Sequence, residues 1–157
     1  MNFMCFIKII LFIILIIVIL IQFVQPSRNK NGEVMQTDFS TMYSIPDSVF
    51  TLFKNACYDC HSNNTNYPWY SNIQPIAGFL EKDIIEGKEK LNFSEFGSYS
   101  SRRRISKLRD IEYRIKDGKM PLKSYKFMHR NARLSDIEND FLIKWIDHLI
   151  DSISLKK

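Results

Sequence analysis

The pentapeptide Cys57-Tyr58-Asp59-Cys60-His61 has the residue types and the spacing for one particular piece of chemistry. Cys-x-x-Cys-His is the spacing used to attach haem covalently, with the histidine as the iron's proximal ligand. Two thiols add to the two vinyl groups on one edge of the porphyrin. The imidazole that follows the second thioether then comes to lie under the metal. Cys57 and Cys60 are thus the candidate attachment residues and His61 the candidate proximal ligand, for one haem c and one iron per chain. Other chemistries are open to the same residues. A thioredoxin-like redox pair would want a βαβ context, and the chain has no run of convincing strand alternation. A zinc site would need a fourth ligand, for which His129 is available, but there is no second pair at zinc-finger spacing.

A low-spin electron-transfer haem usually completes its iron with a second protein ligand, and a thioether in that place raises the reduction potential. Met120 is the candidate. It precedes Pro121, which biases it towards extended backbone and helps to hold its sulfur in one place. Methionine is more often core filler, but this one falls between helices, downstream of the cysteine motif. His129 is the alternative distal ligand and would give a lower potential; Met128 is a weaker one. Tyr67, Trp69, Tyr70 and Trp145 are candidate walls for the haem or ordinary core. A labile or open sixth position would instead make a domain that binds or senses a small ligand. No distal acid–base pair is evident, so no enzymatic activity is expected.

The elements that must position these residues read as all-α. A helix is expected from about Pro46 to Cys57, with Asp47 and Ser48 at its positive start and Val49, Phe50, Phe53, Ala56 and Cys57 in one apolar stripe. The motif would close that helix. A short helix around Ile76 to Glu86 should stop at Gly87, followed by a polar stretch through Asn92 and Gly97. A longer helix, about Ser101 to Asp117, buries Ile105, Leu108, Ile111 and Ile115 and takes Gly118 as its C-cap. Lys119-Met120-Pro121 is then a loop. The last helix opens with the capping box Ser135-x-x-Glu138 and shows Ile137, Phe141, Leu142, Trp145, Ile146 and Leu149 as its apolar stripe.

The N-terminus is a targeting segment. Phe3 to Val24 is apolar apart from Lys8 and Gln22, and as a helix it would span about 33 Å, enough for a hydrocarbon core of about 30 Å. No small residues suited to cleavage follow the apolar core, since the chain continues Gln22-Phe23-Val24-Gln25-Pro26, so an uncleaved signal anchor is expected over residues 1–25. Cys5 precedes the apolar core and reads as one more membrane-facing apolar residue. Residues 26–43 read as a polar linker and 44–157 as the haem-binding domain. Lysine and arginine numbers do not settle the orientation. Covalent haem attachment in bacteria takes place outside the cytoplasmic membrane, so the motif implies a single-pass protein with its C-terminal domain in the periplasm. The chain carries +5, and removing Lys8 leaves about +4 outside the membrane. No nucleic-acid-binding motif accompanies that charge. The basic run Arg102-Arg103-Arg104 reads as a solvated face, or as a partner for propionates or an acidic protein.

Several stretches together resemble the haem-binding domain family of bacterial membrane-anchored cytochrome-c-like proteins. They are Asn55 to Asn63 around the motif, Tyr67-Pro-Trp-Tyr-Ser, Leu91-Asn-Phe-Ser and Gly118-Lys-Met-Pro-Leu-Lys-Ser-Tyr. Met128-His129 with Ala132, Leu134-Ser-Asp-Ile-Glu and Trp145 follow. The resemblance runs from about Ser44 to Asp151. It implies a cytochrome-c-like helical fold, a single c-type haem on Cys57, Cys60 and His61, and a tether in the membrane. The Met-Pro loop resembles the distal-ligand loop of class I cytochromes c, which points to Met120. The expected role is single-electron transfer with redox partner proteins at the membrane.

Overall fold

The computed structural model describes residues 3–155, and among them the chain is all-α, with a lone antiparallel bridge between Lys30 and Asn64. Helix α1, Phe3–Ile21, is apolar on every face and buries none of its side chains. A helix that is apolar all round belongs inside a large core or in a bilayer, and α1 is long and apolar enough to cross a membrane.

The remaining helices follow in the order α2 (Phe39–Met42), α3 (Asp47–Phe53), α4 (Asp59–His61), α5 (Ile76–Lys90), α6 (Ser101–Lys116), α7 (Lys123–Met128) and α8 (Asp136–Leu155). Helix α3 starts behind Pro46 and does not stop at Cys57. It runs on through a π-helical stretch, Lys54–Tyr58, and ends with the turn of α4. Hence the whole cysteine–histidine motif is helical, and its first two residues belong to a π-helical insertion, a distortion that recurs at functional sites.

The core is built from aromatic rings. Phe39, Phe53, Phe93 and Phe96 are all fully buried. The Phe39 ring meets those of Phe53, Phe93 and Phe96 at centroid distances of 5.3, 5.4 and 5.0 Å, and Trp145 closes the group at 6.0 Å. Helices α6 and α8 add Leu108, Ile111 and Ile115 against Leu142, Ile146 and Leu149.

Three expectations need correction. Residues 26–43 are not a free linker. Phe39 belongs to the core, and Asp38 caps α2 by accepting from Ser40 N at 2.9 Å and from the Tyr58 hydroxyl at 2.9 Å. The segment lacks periodicity because it packs through Phe39, Tyr43 and a chain of side-chain hydrogen bonds. Residues 92–97 are not merely polar either: Asn92 caps a 3₁₀ turn, Phe93–Ser98, that inserts Phe93 and Phe96 into the core. In α8 the capping box is present, with Ser135 N donating to Glu138 Oε2 at 2.8 Å and Glu138 N to Ser135 Oγ at 3.3 Å. Its buried face, however, runs from Leu142 to Ile153, and Ile137 and Phe141 are exposed. At about 100° per residue they lie roughly 140° and 100° around the helix from Leu142.

Candidate functional site

Packing of α4 against α5 places the motif. Gly87 sits where the two helices touch, and a Cβ there would come within 2.6 Å of the Cys60 carbonyl oxygen. Gly87 therefore does not stop α5, which continues to Lys90. Its role is to let two backbones meet. His61 uses that approach. Its Nδ1 lies 2.9 Å from the Gly87 carbonyl oxygen and 3.0 Å from that of Leu91. Both neighbours are acceptors, so Nδ1 carries the proton and donates it. Nε2 is left unprotonated, the arrangement that fixes the tautomer of a metal-ligating histidine. Burial holds the imidazole below its ordinary pKa, against the opposing pull of the two carbonyls. At neutral pH the ring is neutral.

The two carbonyl contacts and the close approach predict opposite outcomes at two glycines of one helix. Gly87→Ala is expected to destabilise the fold by about 1–3 kcal/mol, because the methyl overpacks against backbone, which outweighs the ~1 kcal/mol that alanine gains in a helix. Gly78→Ala meets only the tip of the Gln74 side chain, at 3.4 Å, and should stabilise by about 0.5–1 kcal/mol. Urea denaturation of the two variants measures both. Equal effects would mean that α4 and α5 are not in the described contact.

A cleft of about 130 Å³ opens beside His61, lined by Ala56, Cys60, His61, Asp83, Glu86, Gly87, Lys90, Met120, Pro121, Leu122 and Tyr125. Met120 thus shares a cavity with Cys60 and His61. It is brought there by the end of α6. Gly118 adopts a left-handed φ of +66°, and the chain folds back so that the Lys119 and Met120 amides both donate to Arg114 O, at 3.1 and 3.2 Å. Cys57 does not line the cleft and packs against the hydrophobic core instead. His129 is also elsewhere. Its Nε2 is 2.6 Å from the Tyr70 hydroxyl, and its ring stacks on Tyr125 at 4.1 Å. The candidate aromatic walls disperse too: Trp145 is in the core, Trp69 is exposed, and Tyr67 receives the Arg28 guanidinium over its ring. The Arg102–Arg104 run begins α6 away from the cleft, where Arg104 bonds Tyr99 O and the Tyr43 hydroxyl.

Three residues at the site carried no signal in the motif. Asp59 is the first. Its Oδ2 accepts from the Tyr125 hydroxyl at 2.6 Å, its Oδ1 from Asn66 N at 3.1 Å and its carbonyl from Thr65 Oγ1 at 2.6 Å. Tyr125 is the second, and that bond closes α7 over the cleft. The third is Asn29. Its Nδ2 donates to Ser62 O at 2.8 Å and Thr65 Oγ1 at 2.9 Å, while its Oδ1 accepts from Lys88 Nζ at 2.7 Å. Asn29 therefore ties the turn after His61 to α5.

The donor set fits a covalently attached haem: two thiols three residues apart, an imidazole with Nε2 bare, and a thioether in the same cleft. Burial first, with Cys60 beside Cys57 and with Asp59 and Asp83 beside Cys60, pushes both thiols up to about 12. They are thiols at neutral pH, poor starting points for disulfide exchange, which needs the thiolate. No group of three or more His, Cys, Asp or Glu side chains among the described residues is placed to hold a metal ion. At about 130 Å³ the cleft is narrower than the usual range for bound cofactors, ≈ 300–1,000 Å³. Helix α7, which forms one wall, has no fully buried residue.

A family model described as a haem-binding domain matches residues 16–148. No curated protein and no solved structure matches the chain.

Proposed function

The chain belongs to the haem-binding domain family, and from that premise we propose a membrane-anchored, periplasm-facing mono-haem c-type cytochrome that passes single electrons and is not an enzyme. The observation that carries this reading is the His61 ring, whose Nδ1 is occupied by two carbonyls so that Nε2 is the nitrogen available to a metal. Bound at this site, haem supplies an iron that takes up and gives back one electron. Cys57 and Cys60 would hold it through thioether bonds, each formed by adding a thiol across a vinyl group with no leaving group. His61 Nε2 would ligate the iron on one side, and the Met120 sulfur would supply the second protein ligand. The carbonyls of Gly87 and Leu91 keep the His61 ring from turning. Helix α1 confines the domain to the membrane plane, which raises its effective concentration towards redox proteins there.

Helix α7, next to the loop carrying Met120, has no fully buried residue, which favours one alternative, a labile sixth position that binds a small ligand. The oxidised holoprotein distinguishes the two. A methionine–iron charge-transfer band, lost in Met120→Ala, is the expected result. Met120→His should keep a low-spin spectrum and lower the midpoint potential. A high-spin wild-type spectrum that Met120→Ala leaves unchanged would overturn electron transfer in favour of ligand binding.

A further inference from the structure

The end of α1 is joined to the haem-binding domain by hydrogen bonds rather than by slack chain. Gln22 and Gln74 clasp each other: Gln22 Nε2 donates to Gln74 O at 3.2 Å, and Gln74 N donates to Gln22 Oε1 at 3.0 Å. Gln74 Nε2 donates to Val24 O at 2.6 Å, and Gln25 Nε2 to Asn72 O at 3.1 Å. These bonds hold the turn before α5 beside the last residues of the apolar helix. Around the same junction, apolar side chains are turned outwards. Phe23 is 81% exposed, Trp69 74% and Phe79 67%, and Val24, Ile73 and Ile76 are exposed as well. Large apolar side chains grouped on a surface mark a contact.

We infer that Trp69, Ile73, Ile76 and Phe79, with Phe23 and Val24, form a footing that rests in the lipid headgroup region and seats the domain on the bilayer in one orientation. This rests on the reading of α1 as a membrane span. Lipid is the occupant because the clasp fixes the patch beside the place where α1 leaves the membrane. Whatever is bonded to Gln22 is then at headgroup depth, where tryptophan and other amphipathic rings concentrate. Helix α5 starts at this footing and leads to the cleft. From Ile76 to Gly87 it covers about 16 Å, so the footing also sets how far the candidate haem site stands from the lipid. A bare tether would set neither orientation nor height.

The full-length protein in phosphatidylcholine vesicles doped with a headgroup-proximal diazirine lipid tests this. After photolysis, mass spectrometry maps the labelled residues in the haem-loaded protein and in a haem-free Cys57→Ala/Cys60→Ala form. Labels on residues 69–79 as well as on α1, in the loaded protein, are expected. Ile76→Ser/Phe79→Ser should lower the label on that segment several-fold while α1 stays labelled. Labels on α1 with residues 69–79 bare would overturn the footing and leave the membrane span intact. No label on either would overturn both. Labels on residues 69–79 in the haem-free form only would mean that haem covers the patch, and would overturn the inference.

Discussion

Haem staining on a denaturing gel is expected to disappear completely when Cys57 and Cys60 are both replaced by alanine in protein matured with a covalent haem-attachment system. Denaturation strips a haem held by ligation alone, so the stain reads the thioether bonds and nothing else. Each single cysteine variant keeps one bond and should stain partially. His61→Ala should behave differently. Attachment survives because both thiols remain, but the low-spin spectrum is lost. The structure explains why no neighbour rescues it: His129, the other histidine near α7, is held by Tyr70 and Tyr125 outside the cleft. A stain that persists in the double cysteine variant would refute covalent attachment at these residues. Absence of stain in the wild type would refute it too, and would favour noncovalent haem.

The second large effect falls outside the cleft. Phe39→Ala should cost about 3–5 kcal/mol, the range for removing a buried phenylalanine, from a domain whose whole stability is of the order of 5–15 kcal/mol. Phe39 is fully buried and touches the rings of Phe53, Phe93, Phe96 and Trp145, so the surroundings have little room to collapse into the space. Val34, a few residues earlier, is exposed. Val34→Ala should change stability by less than about 0.5 kcal/mol. Urea denaturation of the two variants decides whether this segment is part of the fold or a tether. Equal, small effects would restore the tether.

The contrast between these two residues shows what the sequence could reveal. Periodic features were legible: α6 with its buried stripe and its left-handed Gly118, the capping box of α8, the apolar α1, and the all-α class. So was the haem-binding character, which the matching family model bears out. Features that depend on contact between distant segments left no periodic trace. Phe39 enters the core from a short helix of four residues, too brief to display a pattern. Gly87 has the look of a helix stop, yet lysines, a glutamate and a leucine follow it, and only the opposing backbone of Cys60 shows why a side chain is missing there. Tyr125 and Asp59 pair across 66 positions of chain. Of the aromatic residues that could wall the cofactor or join the core, Trp145 takes the core because α8 presents it to Phe39 and Phe53.

Asn29 and Tyr125 grip the cysteine–histidine motif from opposite sides in the sequence, one at the turn after His61 and the other through Asp59 between the two cysteines. The motif is therefore not portable. A short peptide carrying Cys57 to His61 would keep the thiols but lose the Gly87 and Leu91 carbonyls that orient the ring and the clamps that shape the turn. Any transplant that preserves the ring's orientation has to move the chain from Asn29 to Tyr125 as one piece.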